Sequence, residues 1–173
     1  VQGVLKNDGF NQINGRIALV QKAVNDRLTI SMNLGTTLRN SQFGFEQAFR
    51  YAALFKPTSP VRNPDGTFFE EDVFDLFNPV GIVEQSTDEG TLKRFLGNVR
   101  GEFEIIDGLK IAGFYSQQRE SELYGRYFGR NARFRGQNRT GLARRSTLDR
   151  LSELVESTIE YEKDFGGLNF KAL

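Results

Sequence analysis

The sequence predicts an all-β chain: an antiparallel segment of a transmembrane β-barrel, with long extracellular loops and short periplasmic turns. Three observations predict it. Apolar and polar residues alternate with a period of two over several stretches of the 173 residues. Short turns and long connections alternate between those stretches, an asymmetry that outer-membrane barrels show and soluble sandwiches do not. The polar faces also carry charges that a packed core would not hold but a water-filled lumen tolerates.

Composition narrows the chemistry. The chain has 38% hydrophobic residues and 18 Gly, within the range of either a soluble domain or a barrel. With 23 Lys+Arg against 22 Asp+Glu, no global field selects nucleic acid or an anionic surface. Neither Cys nor His occurs, which removes disulfides, thiolate and imidazole metal sites, and Ser-His-Asp or Cys-His catalysis. No enzyme activity, cofactor or metal is expected. No apolar run is long enough for a transmembrane helix, a restriction that barrel strands escape. The chain opens VQGVLKNDGF, without the basic and apolar regions of a signal peptide, and closes on LNFKAL in mid-pattern. Both ends are therefore expected to lie inside a longer sequence.

From Val1 to Phe10 the chain begins extended and enters a turn at Lys6-Asn7-Asp8-Gly9. From Asn11, Ile13, Gly15, Ile17, Leu19 and Ala23 alternate with Asn14, Arg16, Ala18, Val20 and Lys22 up to a turn at Asn25-Asp26-Arg27. Leu28, Ile30, Met32, Leu34 and Leu38 then alternate with Thr29, Ser31, Asn33, Thr37 and Arg39. A long connection follows, roughly 41–90. Its FGFEQAFRYAALF stretch places Phe45, Ala48, Phe49, Ala52 and Ala53 at helical spacing, so a short helix packing within its own loop is expected. Glu70, Glu71, Asp72 and Asp75 read as a solvated acidic stretch, because nothing fixes the separation that a general acid/base pair or a calcium site needs.

The stretch Thr91 to Gln118 is the clearest hairpin. Phe95, Gly97, Val99, Gly101, Phe103 and Ile105 fall on one face, with Arg94, Asn98, Arg100, Glu102 and Glu104 on the other. Asp107-Gly108 supplies the turn, both residues being tolerant of positive φ. Leu109, Ile111, Gly113 and Tyr115 continue the apolar face. Arg94, Arg100, Glu102 and Glu104 are accordingly expected to face a lumen. A second long connection, about 120–147, holds Tyr124, Arg126, Tyr127, Arg130 and Arg133 among further Arg and Phe residues, with Asp149 as the lone acid between Tyr124 and Arg150. Arg interleaved with aromatics suits anions, lipopolysaccharide phosphates, a partner protein or a sugar ring. The same arginines could instead pair with lumenal carboxylates. The Asn138-Arg139-Thr140 sequon is too short to weigh. The last strand pair, Leu151 to Lys163 and from Leu168, sets Val155, Ile159 and Tyr161 opposite Ser152, Glu156, Thr158, Glu160 and Glu162 across a turn at Asp164-Phe165-Gly166-Gly167.

GFNQINGRIALVQKAVNDRLTI, SQFGFEQAFRYAALFKPTSPV, DLFNPVGIVEQSTDEGTLKRFLGNVRGEFEIIDGLKI and YSQQRESELYGRYF resemble the barrel region of SusC/RagA-like TonB-dependent outer-membrane transporters. The resemblance covers nearly the whole chain and is most specific from Asn78-Pro79-Val80 through Glu84-Gln85 and around Asp107-Gly108-Leu109. It implies a 22-stranded barrel, of which about six strands are here, and a plug domain outside residues 1–173. It further implies energy from TonB, a SusD-like surface lipoprotein as lid, contact with outer-membrane lipids, and import of oligosaccharides or oligopeptides into the periplasm. No nucleic-acid partner is implied. The loops 43–88 and 118–150 would face outside. A smaller porin or adhesin barrel and a soluble β-sandwich binding carbohydrate or anions are the alternatives.

Overall fold

A computed structural model describes residues 2–173; Val1, the first residue of the opening extended run, lies outside them. The described chain is all-β with few helices. Its six strands are β1 (Gly9–Ala23), β2 (Leu28–Gln42), β3 (Ser86–Ile106), β4 (Leu109–Phe128), β5 (Leu142–Asp164) and β6 (Asn169–Ala172). They form one antiparallel sheet in sequence order, so each strand pairs with its neighbours in the chain. Two helices, α1 (Gln47–Leu54) and α2 (Pro79–Glu84), lie in the connection between β2 and β3. Contacts divide the described residues into one unit of residues 2–12, 39–92 and 122–148 and another of 13–38, 93–121 and 149–173.

In the second unit, the alternation in sequence becomes the two faces of the sheet. On the polar face Thr37 Oγ1 donates to Asn14 Oδ1 (2.9 Å) and Asn33 Nδ2 to Asn98 Oδ1 (3.1 Å). On the same face Arg94 Nε donates to Glu120 Oε2 (2.7 Å), and Arg150 reaches Glu120 Oε1 at 3.7 Å. Arg100 pairs with Glu102 at 3.4 Å, and Glu104 accepts from the Gly108 N–H. On the apolar face the Phe95 ring and Leu34 close over Gly97, where an added Cβ would lie 3.0 Å from the ring. That face is largely bare: Ile13 is 72% exposed, Ile17 63%, Val155 75% and Ile159 64%.

The turns match the expected positions, with one difference in conformation. Of Asp107 and Gly108, only Gly108 takes a positive φ, +85°. A lone left-handed Gly closing the turn is the geometry of a G1 bulge, and its one-residue offset keeps even-numbered β3 residues beside even-numbered β4 residues, as at Arg94 and Glu120. At the first turn Val24, Asn25 and Asp26 are all left-handed. At the third, Phe165 N–H bonds the Leu168 carbonyl (2.9 Å), with Gly166 and Gly167 at positive φ.

The long connections are shorter than the sequence suggested. β4 continues to Phe128 and β5 starts at Leu142, so the second connection is 129–141 rather than 120–147. Arg and aromatic side chains obscured strand alternation there, because both faces of those strand ends are polar. β3 likewise begins at Ser86, leaving 43–85 for the first connection.

Gly108 and Gly166 provide a paired prediction. Ala at either must adopt a left-handed conformation, costing about 1–2 kcal/mol. At Gly108 the added Cβ would also collide with the Glu162 carbonyl oxygen, whereas nothing lies within 4 Å of one at Gly166. Gly108→Ala should therefore lower the unfolding midpoint in urea well beyond Gly166→Ala.

Candidate functional site

The first unit contains a core of its own. Phe45, Tyr51, Leu76, Ile82, Phe128 and Phe134 are buried together, with Phe55, Phe77 and Leu142 packed against them. Its rings meet at angles: Tyr51 on Phe77 (5.3 Å, 87°), Phe77 on Phe134 (5.2 Å, 75°) and Phe45 on Phe128 (5.5 Å, 54°). Edge-to-face and tilted arrangements of this kind add to the area buried. The helix predicted around Phe45 to Phe55 forms, but with another inner face. Ala48 and Tyr51 are buried, whereas Phe49 is 55% exposed and Ala52 and Ala53 are exposed. Tyr51 rather than Phe49 takes the buried place, its hydroxyl donating to Asp75 Oδ1 at 3.3 Å. Burial and that carboxylate both raise the Tyr51 pKa.

Asn78, 1% exposed, ties the connection together. Its Oδ1 accepts from the Val80 and Gly81 N–H groups (3.0 and 3.1 Å), capping α2, whose first residue is Pro79. Its Nδ2 donates to the Val61 and Phe69 carbonyls, both at 2.8 Å, and its own N–H donates to Glu70 Oε2 at 2.8 Å. One side chain thus satisfies both its donor and its acceptor capacity across three segments. An Asn before Pro and an apolar run is a readable helix start, and it was the missed signal for α2.

Within the acidic stretch Asp72 is exposed as expected, but Glu71 is buried and Asp75 is tied to other segments, so these carboxylates act as struts. Glu71 is buried, accepts from Ser59 Oγ (2.7 Å) and pairs with Lys56 (3.1 Å). Asp75 pairs with Arg50 (3.2 Å), and Glu84 with Lys6 and with Arg62 (2.6 Å). Bonds from Ser59 and Lys56 hold the Glu71 carboxyl below its ordinary value, and Lys6 does the same for Glu84. Burial pushes Glu70 up, against the Asn78 N–H and the charge of Arg133. Glu70, Glu71 and Asp75 are thus each engaged by a different segment, while Asp72 is exposed.

The five residues expected to make a binding loop do not form one cluster. Tyr124, Arg126 and Tyr127 stand on β4, and Arg130 and Arg133 on the connection after it. Arg126 Nε donates to Asp88 Oδ2 (2.7 Å), and its guanidinium lies over the rings of Phe45 (5.5 Å) and Tyr124 (5.6 Å). The Asp88 side chain is 2% exposed, so this is a charge taken out of water and held by one cation. Tyr127 is exposed and one residue out of phase with Arg126. Arg130 is exposed, and Arg133 stands near Glu70. The partner of Arg126 comes from β3, thirty-eight residues earlier, so local sequence does not reveal it.

Two clefts border this pair. One of about 530 Å³ lies among Phe43, Phe45, Phe49, Asp88, Tyr124 and Arg126. The other, about 1150 Å³, is lined by amides and hydroxyls such as Asn11, Asn40, Ser41 and Thr91, together with Arg144 and Arg145. Walls of amides, hydroxyls and arginine can bind hydroxyl-rich or peptide-like solutes by hydrogen bonding. No family model matches the chain, and no curated protein matches it in sequence.

Arg126→Ala strands the buried Asp88 carboxylate and is expected to destabilise the first unit by about 3–5 kcal/mol. Adding Asp88→Asn should recover much of that loss, as a chemical-denaturation double-mutant cycle would measure.

Acidification gives a further prediction. Glu71 and Glu84 are held below the ordinary 4.5, so their stabilisation is complete above that pH and lost as the pH falls through the lower folded values. Glu70 is raised, so its ionisation opposes folding at neutral pH, and that cost vanishes on acidification. As the Glu71 and Glu84 contributions are lost, amide protection over residues 56–84, corrected for intrinsic exchange, should fall below pH 4.5. Glu70→Gln should raise protection at pH 7 and deepen the drop on acidification.

Proposed function

We propose that this chain is a segment of the wall of a TonB-dependent importer in a bacterial outer membrane. On this reading the importer moves oligosaccharides or oligopeptides into the periplasm, with a SusD-like lipoprotein as lid. The observation that carries the membrane part is the contrast between the two faces of one sheet. The polar face is cross-linked by Asn14, Thr37, Asn33, Asn98, Arg94, Glu120 and Arg150, while Ile13, Ile17, Val155 and Ile159 stand bare on the other. Hydrocarbon of that extent needs an apolar cover, and paired charges on the opposite side suit water. Connection lengths agree: residues 24–27, 107–108 and 165–168 link three strand pairs, and 43–85 and 129–141 link the other two. The importer, its lid and its substrates rest on the family resemblance of the motifs.

A soluble sandwich would cover the bare face with a second sheet, and the described residues form one sheet. The intact protein should therefore stay with the outer-membrane fraction and leave it only in detergent. Recovery in the aqueous phase without detergent would sink the membrane reading. The register has its own test. Ile30→Arg, on the apolar face, should weaken assembly by about 2–4 kcal/mol at hydrocarbon depth, while Ser31→Arg, on the polar face, should cost about 0.5 kcal/mol or less. Heat-modified gel mobility of the two variants would separate them, and equal effects would defeat the assignment of faces.

A further inference from the structure

The apolar face of the second unit carries a hydrogen-bonded polar cluster between β4 and β5. Tyr115 Oη donates to Glu153 Oε1 (2.7 Å), and Gln117 Nε2 donates to the same oxygen (3.0 Å) and to Tyr115 Oη (3.2 Å). All three residues have the odd numbering that places Leu109, Ile111, Val155 and Ile159 on the apolar face. A carboxylate that accepts two bonds on an otherwise hydrocarbon face marks water at that level, since hydrocarbon would not solvate its second oxygen. Beyond this line the same face carries Arg119 on β4 and Lys93 on β3, both exposed.

The opposite edge is also marked. Tyr161 of β5 packs on Phe170 of β6 with ring centroids 6.4 Å apart, and Lys163 follows on the same face. The Glu162 N–H bonds the Gly108 carbonyl (2.8 Å), which sets Tyr161 beside the start of β4 at Leu109. Both strands therefore measure the same distance: Glu153 to Tyr161 and Gln117 to Leu109 are each eight residues. Eight residues span about 26 Å along a strand, or roughly 20 Å across a membrane at a barrel tilt of about 40°. That approaches the ~25 Å apolar band of outer-membrane barrels, with tyrosines at both edges where aromatic girdles sit.

We infer that the Tyr115–Gln117–Glu153 cluster is the contact of this wall with lipid headgroups, and that the hydrocarbon layer ends there. This rests on the membrane reading and adds the depth of individual residues. Lys93 and Arg119, just beyond the line, supply the positive charge that phosphate-bearing headgroups attract. The discriminating residue is Leu151, an exposed leucine on the same face but on the aqueous side of Glu153. By sequence it belongs to the lipid face, and by this geometry it does not.

The test places single spin labels on the intact protein, in a background without other cysteines, reconstituted in phosphatidylcholine–phosphatidylglycerol vesicles. Ile111→Cys, Val155→Cys and Ile159→Cys lie inside the band; Arg119→Cys and Leu151→Cys lie outside it, and all leave the cluster intact. The ratio of collision with oxygen to collision with a water-soluble nickel chelate should be several-fold higher at 111, 155 and 159 than at 119 and 151. An oxygen-favouring ratio at 151 equal to that at 155 would overturn this boundary while leaving the membrane reading in place. Nickel access at all five positions would overturn the membrane reading itself. Should Val155→Cys fail to assemble, Ser157→Cys on the same face carries the same comparison.

Discussion

A sheet whose side chains alternate with period two must satisfy two solvents at once, and the second unit depends on that constraint. Its apolar face has almost no protein cover; its polar face is linked strand to strand by amides, hydroxyls and ion pairs. In water the first face would drive aggregation through its exposed hydrocarbon. In a sandwich core the second would bury charges beyond what Arg94, Glu120 and Arg150 neutralise among themselves. An apolar solvent on one side and water on the other would satisfy both, and this is why a membrane is proposed although no helix among the described residues is long and apolar enough to cross one.

The connection between β2 and β3 meets a different problem. A stretch of this length has many backbone groups and no ladder to pair them, so order there requires an internal core and internal hydrogen bonds. Phe45, Tyr51, Phe77, Phe128 and Phe134 supply the core, and Asn78 joins three backbone segments within it. The carboxylates at Glu71, Asp75 and Glu84 then fasten the outside. An ordered connection can present side chains at fixed positions. Phe74, 99% exposed beside the left-handed Asp75, is held out in this way.

How much of this the sequence disclosed follows from the range of each signal. Strand faces, turn positions and the existence of the helix after Phe45 are local, with periods of two and 3.6, and they were legible, although the helix buries Ala48 and Tyr51 rather than Phe49, Ala52 and Ala53. The extents of β4 and β5 were not, because Arg119, Arg126, Arg144 and Arg145 break the alternation of apolar residues at those strand ends. Nor were the partners: Arg126 meets an acid from another strand, and Glu71 meets Ser59 and Lys56. Local composition shows neither the struts made by Glu71 and Asp75 nor the Asp88 partner of Arg126, whose pairings join distant segments, while Arg130, Arg144 and Arg145 stay exposed.

The polar face also explains why this register and not its neighbour is adopted. Its ties run across strands: Asn14 to Thr37, Asn33 to Asn98, Arg94 to Glu120, Glu120 to Arg150, and Lys171 to Glu160 and Glu162. Each exposed tie is worth little alone, about 0–1 kcal/mol. A slip of one residue between any two strands would break its tie and also move a whole row of side chains to the wrong face. At β3 and β4 that slip would bring Phe95 and Val99 to the charged side and Arg94 and Arg100 to the bare one. The ties therefore need not be strong, because the hydrocarbon they exclude from water supplies the penalty for error. The Gly108 bulge sets the offset that both require, one backbone conformation holding the charges and the apolar rows in phase.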